Sequence, residues 1–315
     1  MSVQQNSIVG AIEAGGTKFV CAIGNSSGAT LLERAQFATG DNPARLMREV
    51  VTWFSTQQKK YGPLVGLGVA SFGPVDLDVT SPTYGFITTT PKQGWQNADI
   101  LGPLRQAFPG LPLGFDTDVN GAALGEARWG AARGLEDFIY ITVGTGIGGG
   151  GMARGRLLHG LVHPEMGHIS VPQRPGDAFP GQCPFHGPCW EGLCSGPAIA
   201  ARAGAPPELL APDHPAWGDV IFTMAHALKN LACVLSPQRI LLGGSVRKAG
   251  LLGEAVFFDR LRTAFRAALG GYISSHAVSE RGIASYIVPP ELGDDAGVCG
   301  ALALAQDAVK ETALS

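Results

Sequence analysis

Twice in this chain a short apolar run enters a glycine turn and comes back out, first over residues 7–23 around Gly15-Gly16 and again over 138–158 around 144–151. Each opening predicts a hairpin that starts a sheet of its own, which restricts the fold to architectures with two related halves. Downstream of each hairpin the chain alternates between the two periodicities. After the first come a helical pattern at 44–59, with Leu46, Val50, Trp53 and Phe54 on its apolar face, a buried strand at 64–70, a short strand at 113–115 and a helix at 119–131. After the second come a helix at 219–235, a strand at 239–242, a helix at 252–269, a strand at 284–288 and a last helix from about Asp295. The order is α/β. Two lobes are expected, 1–117 with the C-terminal helix 295–315 packing back on it, and 118–294, which contains the loop 165–191.

The chain's 315 residues exceed the size at which a single core stops growing, so two lobes are also the expectation from length. Hydrophobic residues make up 45% and charged residues only 16%, below the usual quarter, which predicts a large interior and a subunit interface, with a homodimer as the expected assembly. A net charge of -3 offers no attraction to phosphate backbones or anionic lipid, so no nucleic-acid or membrane partner is expected. Residues 1–7 lack a basic, apolar leader and every apolar run is broken by Gly or charge, which predicts a cytoplasmic protein. Cys21, Cys233 and Cys299 lie in apolar patterns that read as buried, and Cys194 fits either that group or the loop beside it.

That loop concentrates donor atoms. Cys183-Pro-Phe-His186-Gly-Pro-Cys189 spaces three ligands so that they can turn onto one tetrahedral metal, with a fourth supplied from His159, His163 or His168. His168 is favoured because it closes a Glu165-x-x-His168 pair, and i,i+3 spacing puts both side chains on one helical face. Zinc with reduced thiols accounts for the cysteines more simply than a disulfide framework.

The two turns carry phosphate chemistry. In Glu13-Ala-Gly15-Gly16-Thr17-Lys18, bare backbone N–H groups can approach phosphate oxygens and Lys18 adds positive charge, although the spacing is not that of a Walker A loop and an ordinary hairpin turn has the same composition. Residues 142–149 satisfy Gly-x-Gly-x-x-Gly, yet the residues after Gly149 read as a returning strand and not as the helix a Rossmann turn requires. A second phosphate-cradling hairpin fits better. Gly243-Gly244-Ser245 after a strand offers a third approach point, for a nucleoside. Asp118, between a strand end and a helix start, is placed either to accept a proton from an attacking hydroxyl or to cap the helix.

Together, Glu-Ala-Gly-Gly-Thr-Lys-Phe at 13–19, Ala-Ser-Phe-Gly-Pro-Val-Asp at 70–76, Thr-Thr-Pro-Lys-Gln-Gly-Trp at 89–95, Asp-Val-Asn-Gly-Ala-Ala at 118–123, the 142–149 turn and the Cys/His segment resemble the ROK family of sugar kinases, most closely its bacterial fructokinase branch. The resemblance spans nearly the whole chain. It implies the actin-like ATPase (ribonuclease H-like) fold, two lobes with a cleft between them and a zinc-pinned loop, and transfer of phosphate from MgATP to a sugar. It implies Asp118 as the base, and Gly15, Gly16, Thr17, Lys18, Thr142, Gly144, Thr145, Gly146 and Gly148 around the ATP phosphates. Gly243, Gly244, Ser245 and Val246 would lie near adenosine; Gly73, the 90–95 loop with Thr90 and Trp95, Asn120, Glu165, His168 and Glu191 would face the sugar; His168, Cys183, His186 and Cys189 would hold structural zinc.

Two departures stand out. Many members have Cys-x-Cys-x4-Cys with an upstream His, whereas His186 here replaces a thiolate, which makes assembly more sensitive to imidazole protonation below about pH 6.5. Glu13 stands where the wider superfamily often has Asp, so Mg²⁺ is expected to be held mainly by phosphates and water. Kinases for glucose, mannose or N-acetylhexosamines share these residues. The family's sugar-responsive regulators are the non-enzymatic alternative; a first strand beginning near Ser7 leaves no room for a winged helix before it.

Overall fold

The computed structural model describes residues 7–314, so most of the N-terminal stretch considered for a leader lies outside the described residues. In chain order the first elements are β1 (Ile8–Ala14), β2 (Lys18–Asn25), β3 (Leu31–Ala38), α1 (Pro43–Tyr61), β4 (Leu64–Ser71), β5 (Phe86–Ile87), β6 (Ala98–Asp99), α2 (Leu101–Ala107), β7 (Leu113–Thr117) and α3 (Asp118–Trp129). The later elements are β8 (Phe138–Val143), β9 (Ile147–Ala153), β10 (Arg156–Leu157), α4 (Trp190–Cys194), α5 (Gly196–Ala203), α6 (Pro215–Leu235), β11 (Arg239–Gly243), α7 (Glu254–Leu269), α8 (Ile283–Tyr286), β12 (Ile287–Val288) and α9 (Ala296–Leu314).

Two five-stranded sheets form, ordered β3-β2-β1-β4-β7 and β10-β9-β8-β11-β12. In each, the opening hairpin pairs antiparallel, one later strand (β4 or β11) adds in parallel to its first strand and the next (β7 or β12) adds in parallel to that one, while β3 extends the first sheet antiparallel to β2. The duplicated topology has a local cause. β1 and β8 are apolar on both faces, as central strands must be, while β3 alternates half-buried and exposed residues as an edge strand does.

The chain divides into two compact units, residues 1–133 with 157–163 and 294–315, and residues 134–156 with 164–293. The boundary expected at 117/118 therefore moves to 133/134, because α3 packs on α9, β4 and β7 of the first unit. Gly121 of α3 and Gly300 of α9 face each other so closely that a Cβ on Gly300 would overlap the Gly121 backbone. Side chains there would separate the helices and shift the N-terminus of α3, where Asp118 sits. α9 also covers β1, β4 and β7.

Other expectations change in detail. The glycines 148–151 form the returning strand β9 itself, paired to β8 from Val143↔Ile147 onward, so the turn shrinks to 144–146. Residues 283–286 make a helical turn, leaving only Ile287–Val288 as strand. Cys233 is exposed, not buried, whereas Cys21, Cys194 and Cys299 are buried. α6 is long and apolar enough to cross a membrane by length and composition, but half of its apolar window is buried inside the protein, as in a core helix. β3 and α2 carried no clear sequence signal and were not anticipated.

Candidate active site

Asp118 is the first residue of α3, directly after β7. The capping role belongs to its neighbour: Thr117 has extended backbone angles and its hydroxyl oxygen accepts the Asn120 N–H at 3.1 Å. This releases Asp118 from the alternative of being the cap. Its Oδ1 accepts the Val119 N–H at 2.9 Å. Asp118 is half-buried, and desolvation pushes its carboxyl from 3.8 up to about 7, with the Val119 and Asp118 N–H groups opposing the rise. A carboxylate titrating near neutrality is matched to proton acceptance at physiological pH. Glu13, at the end of β1, is also raised to about 7, first by burial and then by repulsion from Asp118.

A buried network lies beside the base. Asp116 is only 3% exposed at its side chain, and its Oδ1 accepts from Thr117 N at 2.7 Å and Asn120 Nδ2 at 2.9 Å. Its Oδ2 accepts from His159 Nε2 at 2.8 Å. Neither Asp116 nor His159 in this role was anticipated; the only signal was a second Asp two residues before Asp118. His163 is elsewhere, its Nε2 accepting the Val75 N–H at 3.1 Å beside Gly73.

The Trp95 side chain lies in the core. Its indole is fully buried between Phe19 and Phe72, each 5.4 Å away by ring centroid, and its Nε1 donates to Gly40 O at 3.0 Å. Its large apolar area and single donor are both satisfied in the core, so Trp95 anchors the 90–95 loop from beneath. Thr90 is half-buried, its Oγ1 accepting the Lys92 N–H at 3.3 Å.

In the first glycine turn Gly15 N donates to Lys18 O at 3.0 Å, and Thr39 holds the turn from behind by donating its hydroxyl to Gly15 O at 2.7 Å. Gly16, Thr17 and Lys18 are left exposed. In the second turn Gly144 N donates to Gly146 O at 2.9 Å and Thr145 stands exposed at the tip. Two longer-range bonds fix it: Gly196 N, at the start of α5, donates to Gly144 O at 2.7 Å, and Ile147 N donates to Glu191 Oε2 at 2.9 Å. Glu191, expected to face a sugar, thus has one carboxylate oxygen on the turn. A Cβ on Gly146 would stand 2.8 Å from that oxygen.

Within the second unit a cavity of about 570 Å³ opens beside this turn. Its walls combine Gly144 and Thr145 with Ser245 and Val246, as anticipated, and with Gly196, Pro197, Pro206, Pro207, Glu208 and Lys248, which were not. Gly243 and Gly244 lie outside this lining; Gly244 turns the chain at φ +84° ahead of Ser245. Pro206 and Pro207 come from the Pro- and Ala-rich connection 204–215.

The donor cluster is complete inside the second unit. One ligand atom each from His168, Cys183, His186 and Cys189 lies within 4.8 Å of the others. Cys183 Sγ is 3.6 Å from His168 Nδ1 and 3.7 Å from His186 Nδ1, and Cys189 Sγ is 3.7 Å from His168 Nδ1. A tetrahedral ion with ordinary zinc–sulfur and zinc–nitrogen bonds requires N···S edges of about 3.6 Å, so the four residues fit that ion. His168 is the upstream histidine that joins. It sits on a 3-10 turn, Met166–His168, that packs so tightly on β9 that a Cβ on Gly167 would overlap the Ile147 carbonyl. With Nδ1 in the cluster, His168 Nε2 faces outward toward Glu165 Oε2 at 4.0 Å, the orientation in which a ligating imidazole donates its second N–H. Cys189 also caps α4, its Sγ accepting the Gly192 N–H at 3.4 Å, so the cluster sits two residues before Glu191. Cys194 is outside, its thiol directed at Val220 O.

A family model described as the ROK family matches residues 9–308. The chain belongs to the ROK family. A fructokinase of Zymomonas mobilis is 41% identical over 304 residues, covering 95% of this chain and 96% of its own. A fructokinase of Pediococcus pentosaceus is 39% identical over 303 residues, covering 96% and 99%. The crystal structure of a ROK hexokinase from Thermus thermophilus matches with a TM-score of 0.75 at 26% identity, covering 96% of this chain and 99% of that one. The repeated sheet order is that of the actin-like ATPase fold on which these ROK proteins are built, and the strand β9, which starts at Ile147 inside the 142–149 segment where a Rossmann turn would start a helix, excludes the Rossmann alternative.

Proposed function

We propose that this ROK protein is an ATP-dependent fructokinase that converts D-fructose and ATP to D-fructose 6-phosphate and ADP. The observation that carries the reading is the near-full-length identity to two proteins named fructokinases, in a chain that retains Asp118 at the β7–α3 junction with its carboxyl raised to about 7. Asp118 accepts the proton of the attacking hydroxyl as the sugar oxygen attacks the γ-phosphorus. Gly73, Asn120, Glu165, His168 and Glu191 are the residues that bind the sugar, with Thr90 on the loop that Trp95 anchors. Gly15, Gly16, Thr17 and Lys18, with Thr142, Gly144, Thr145, Gly146 and Gly148, surround the phosphates. The 570 Å³ cavity takes adenosine against Ser245 and Val246. Mg²⁺ would supply charge neutralisation of the phosphates when bound, with Glu13, a carboxylate close enough to Asp118 to feel its charge, available to meet its water shell.

Zinc in the four-residue cluster is structural, since four protein ligands leave no open position for substrate. It holds His168 with Nε2 outward and Cys189 at the head of α4, so both ends of the sugar-facing wall hang on it. Low charge content supports a homodimer and the net charge of -3 argues against nucleic-acid or anionic-membrane partners; light scattering of the purified protein at twice the mass of 32.7 kDa checks the assembly.

Coupled ADP release with fructose, glucose, mannose and N-acetylmannosamine tests the activity directly. Fructose is expected to turn over fastest. A glucose preference would replace fructokinase by glucokinase, and no turnover on any hexose would point to a regulator.

A further inference from the structure

The segment 157–163 counts with the first compact unit, while its neighbours Arg156 and Pro164 count with the second. Its middle is poorly suited to hold it in place: Leu161 is fully exposed and Val162 is 55% exposed. Polar anchors stand near its two ends. His163 accepts the Val75 N–H just past Gly73, and His159 bonds to Asp116 two residues before Asp118. Both attachments fall beside positions assigned to the sugar, Gly73 and Asn120.

The His159 attachment is chemically specific. Asp116 is buried and, as a carboxylate, can only accept, so Nε2 of His159 carries the hydrogen; the bond to Asp116 also raises the imidazole above its ordinary range, against the opposing effect of burial. Asn120 Nδ2 has two hydrogens, and it donates to Asp116 Oδ1 at 2.9 Å and to Leu158 O at 3.2 Å. One amide therefore ties the carboxylate to the backbone of the segment that His159 secures. The orientation of the Asn120 side chain, including where its Oδ1 is directed, depends on both attachments.

We propose that His159 is a positioning residue of the sugar site: by occupying Asp116 Oδ2 it holds the segment 157–163 and the Asn120 amide in the geometry that binds the sugar beside Asp118. Without it a buried carboxylate oxygen loses its donor, Asp116 is held only through Oδ1 by Thr117 N and the Asn120 amide, and the direction of Asn120 is less firmly fixed. ATP is met by other residues, so its binding is untouched.

The inference rests on the sugar-kinase reading, and the experiment separates the two. Wild-type steady-state kinetics, on whichever hexose of the panel turns over fastest, test the reading; the variants test the inference by ratios to wild type on that sugar. His159→Ala is expected to raise KM for the sugar about tenfold or more, with KM for ATP, metal content and Tm close to wild type. His159→Gln, whose amide can place a donor near the position of Nε2, is expected to recover most of that loss. In the Asp116→Asn background, His159→Ala should add much less than tenfold, because the pair acts as one unit. An unchanged sugar KM in His159→Ala, equal rises in both KM values with a fall in Tm, no recovery in His159→Gln, or additive effects in the double variant would each overturn the assignment.

Discussion

Asp118→Asn binds ATP and fructose with affinities near wild type and turns over about 10²–10⁴-fold more slowly, because the amide keeps the shape of the side chain and loses the acceptor for the hydroxyl proton. Binding measured by calorimetry beside single-turnover rates checks both halves, and a wild-type rate would remove Asp118 from its role. The same residue sets a pH dependence. With its carboxyl raised to about 7, the competent ionised form is lost as pH falls through neutrality, so kcat/KM drops about tenfold per pH unit below that point.

Stability moves in the opposite sense. A carboxyl whose folded value lies above its unfolded one stabilises the fold below pH 4, and that contribution is lost as pH rises toward 7. At pH 8 the wild type therefore carries an ionised, desolvated carboxylate that the Asn variant lacks. Asp118→Asn is expected to gain on the order of 1–3 kcal/mol there and little at pH 4, which thermal melts at the two values would show. An inactive but more stable variant is the signature of a group held in a costly environment for chemistry.

Cys183→Ser, or exhaustive chelation, gives the second large effect. Purified wild type should hold one zinc per chain, and the variant should lose it together with turnover. The cluster joins the 3-10 turn at Met166–His168, the 183–187 turn and the head of α4, so its loss frees three segments at once. A loss of several kcal/mol should lower Tm by about 10 °C or more. Sugar and nucleotide should not respond equally at partial loading. His168 depends on the metal directly and Glu165 stands three residues before it, whereas the glycine turn meets the cluster's segments through Glu191 and the packing of Gly167 on Ile147, and Gly196 N supports that turn independently. The KM for fructose should therefore rise before that for ATP. Full activity and an unchanged Tm in metal-free protein would eliminate the pinned wall. Lowering the pH should also release the ion, since ligation requires both imidazoles neutral.

Much of the fold was legible in local pattern. Paired hairpins with glycine turns, and helices and strands alternating after each, specify two similar sheets because side-chain period and turn residues act over a few neighbours. The Cys183, His186 and Cys189 spacing is local for the same reason. Failures cluster where a distant contact decides. The short strand β12 lost part of its expected length to the turn α8, and α3 joined the first unit because two glycines, remote in sequence at 121 and 300, let the helices touch. Trp95 sits in a motif that reads as a pocket loop, yet Phe19, Phe72 and the Gly40 carbonyl claim its indole. Pro206 and Pro207 reach the cavity beside Ser245 only in the folded chain, about forty residues apart in sequence.

Residue types and spacing alone determined the duplicated α/β topology, the two glycine turns, three of the four donors of the Cys/His cluster and Asp118 as one of two uses of an aspartate at a helix start. Only the tertiary structure gave the cap to Thr117 and, by burial, raised the Asp118 carboxyl to about 7. It likewise chose among three histidines, sending His168 to the cluster, His159 to Asp116 and His163 to Val75. Proton affinity and ligand choice depend on what surrounds a group in space, and burial and long-range neighbours are properties of the folded chain that no short stretch of sequence contains.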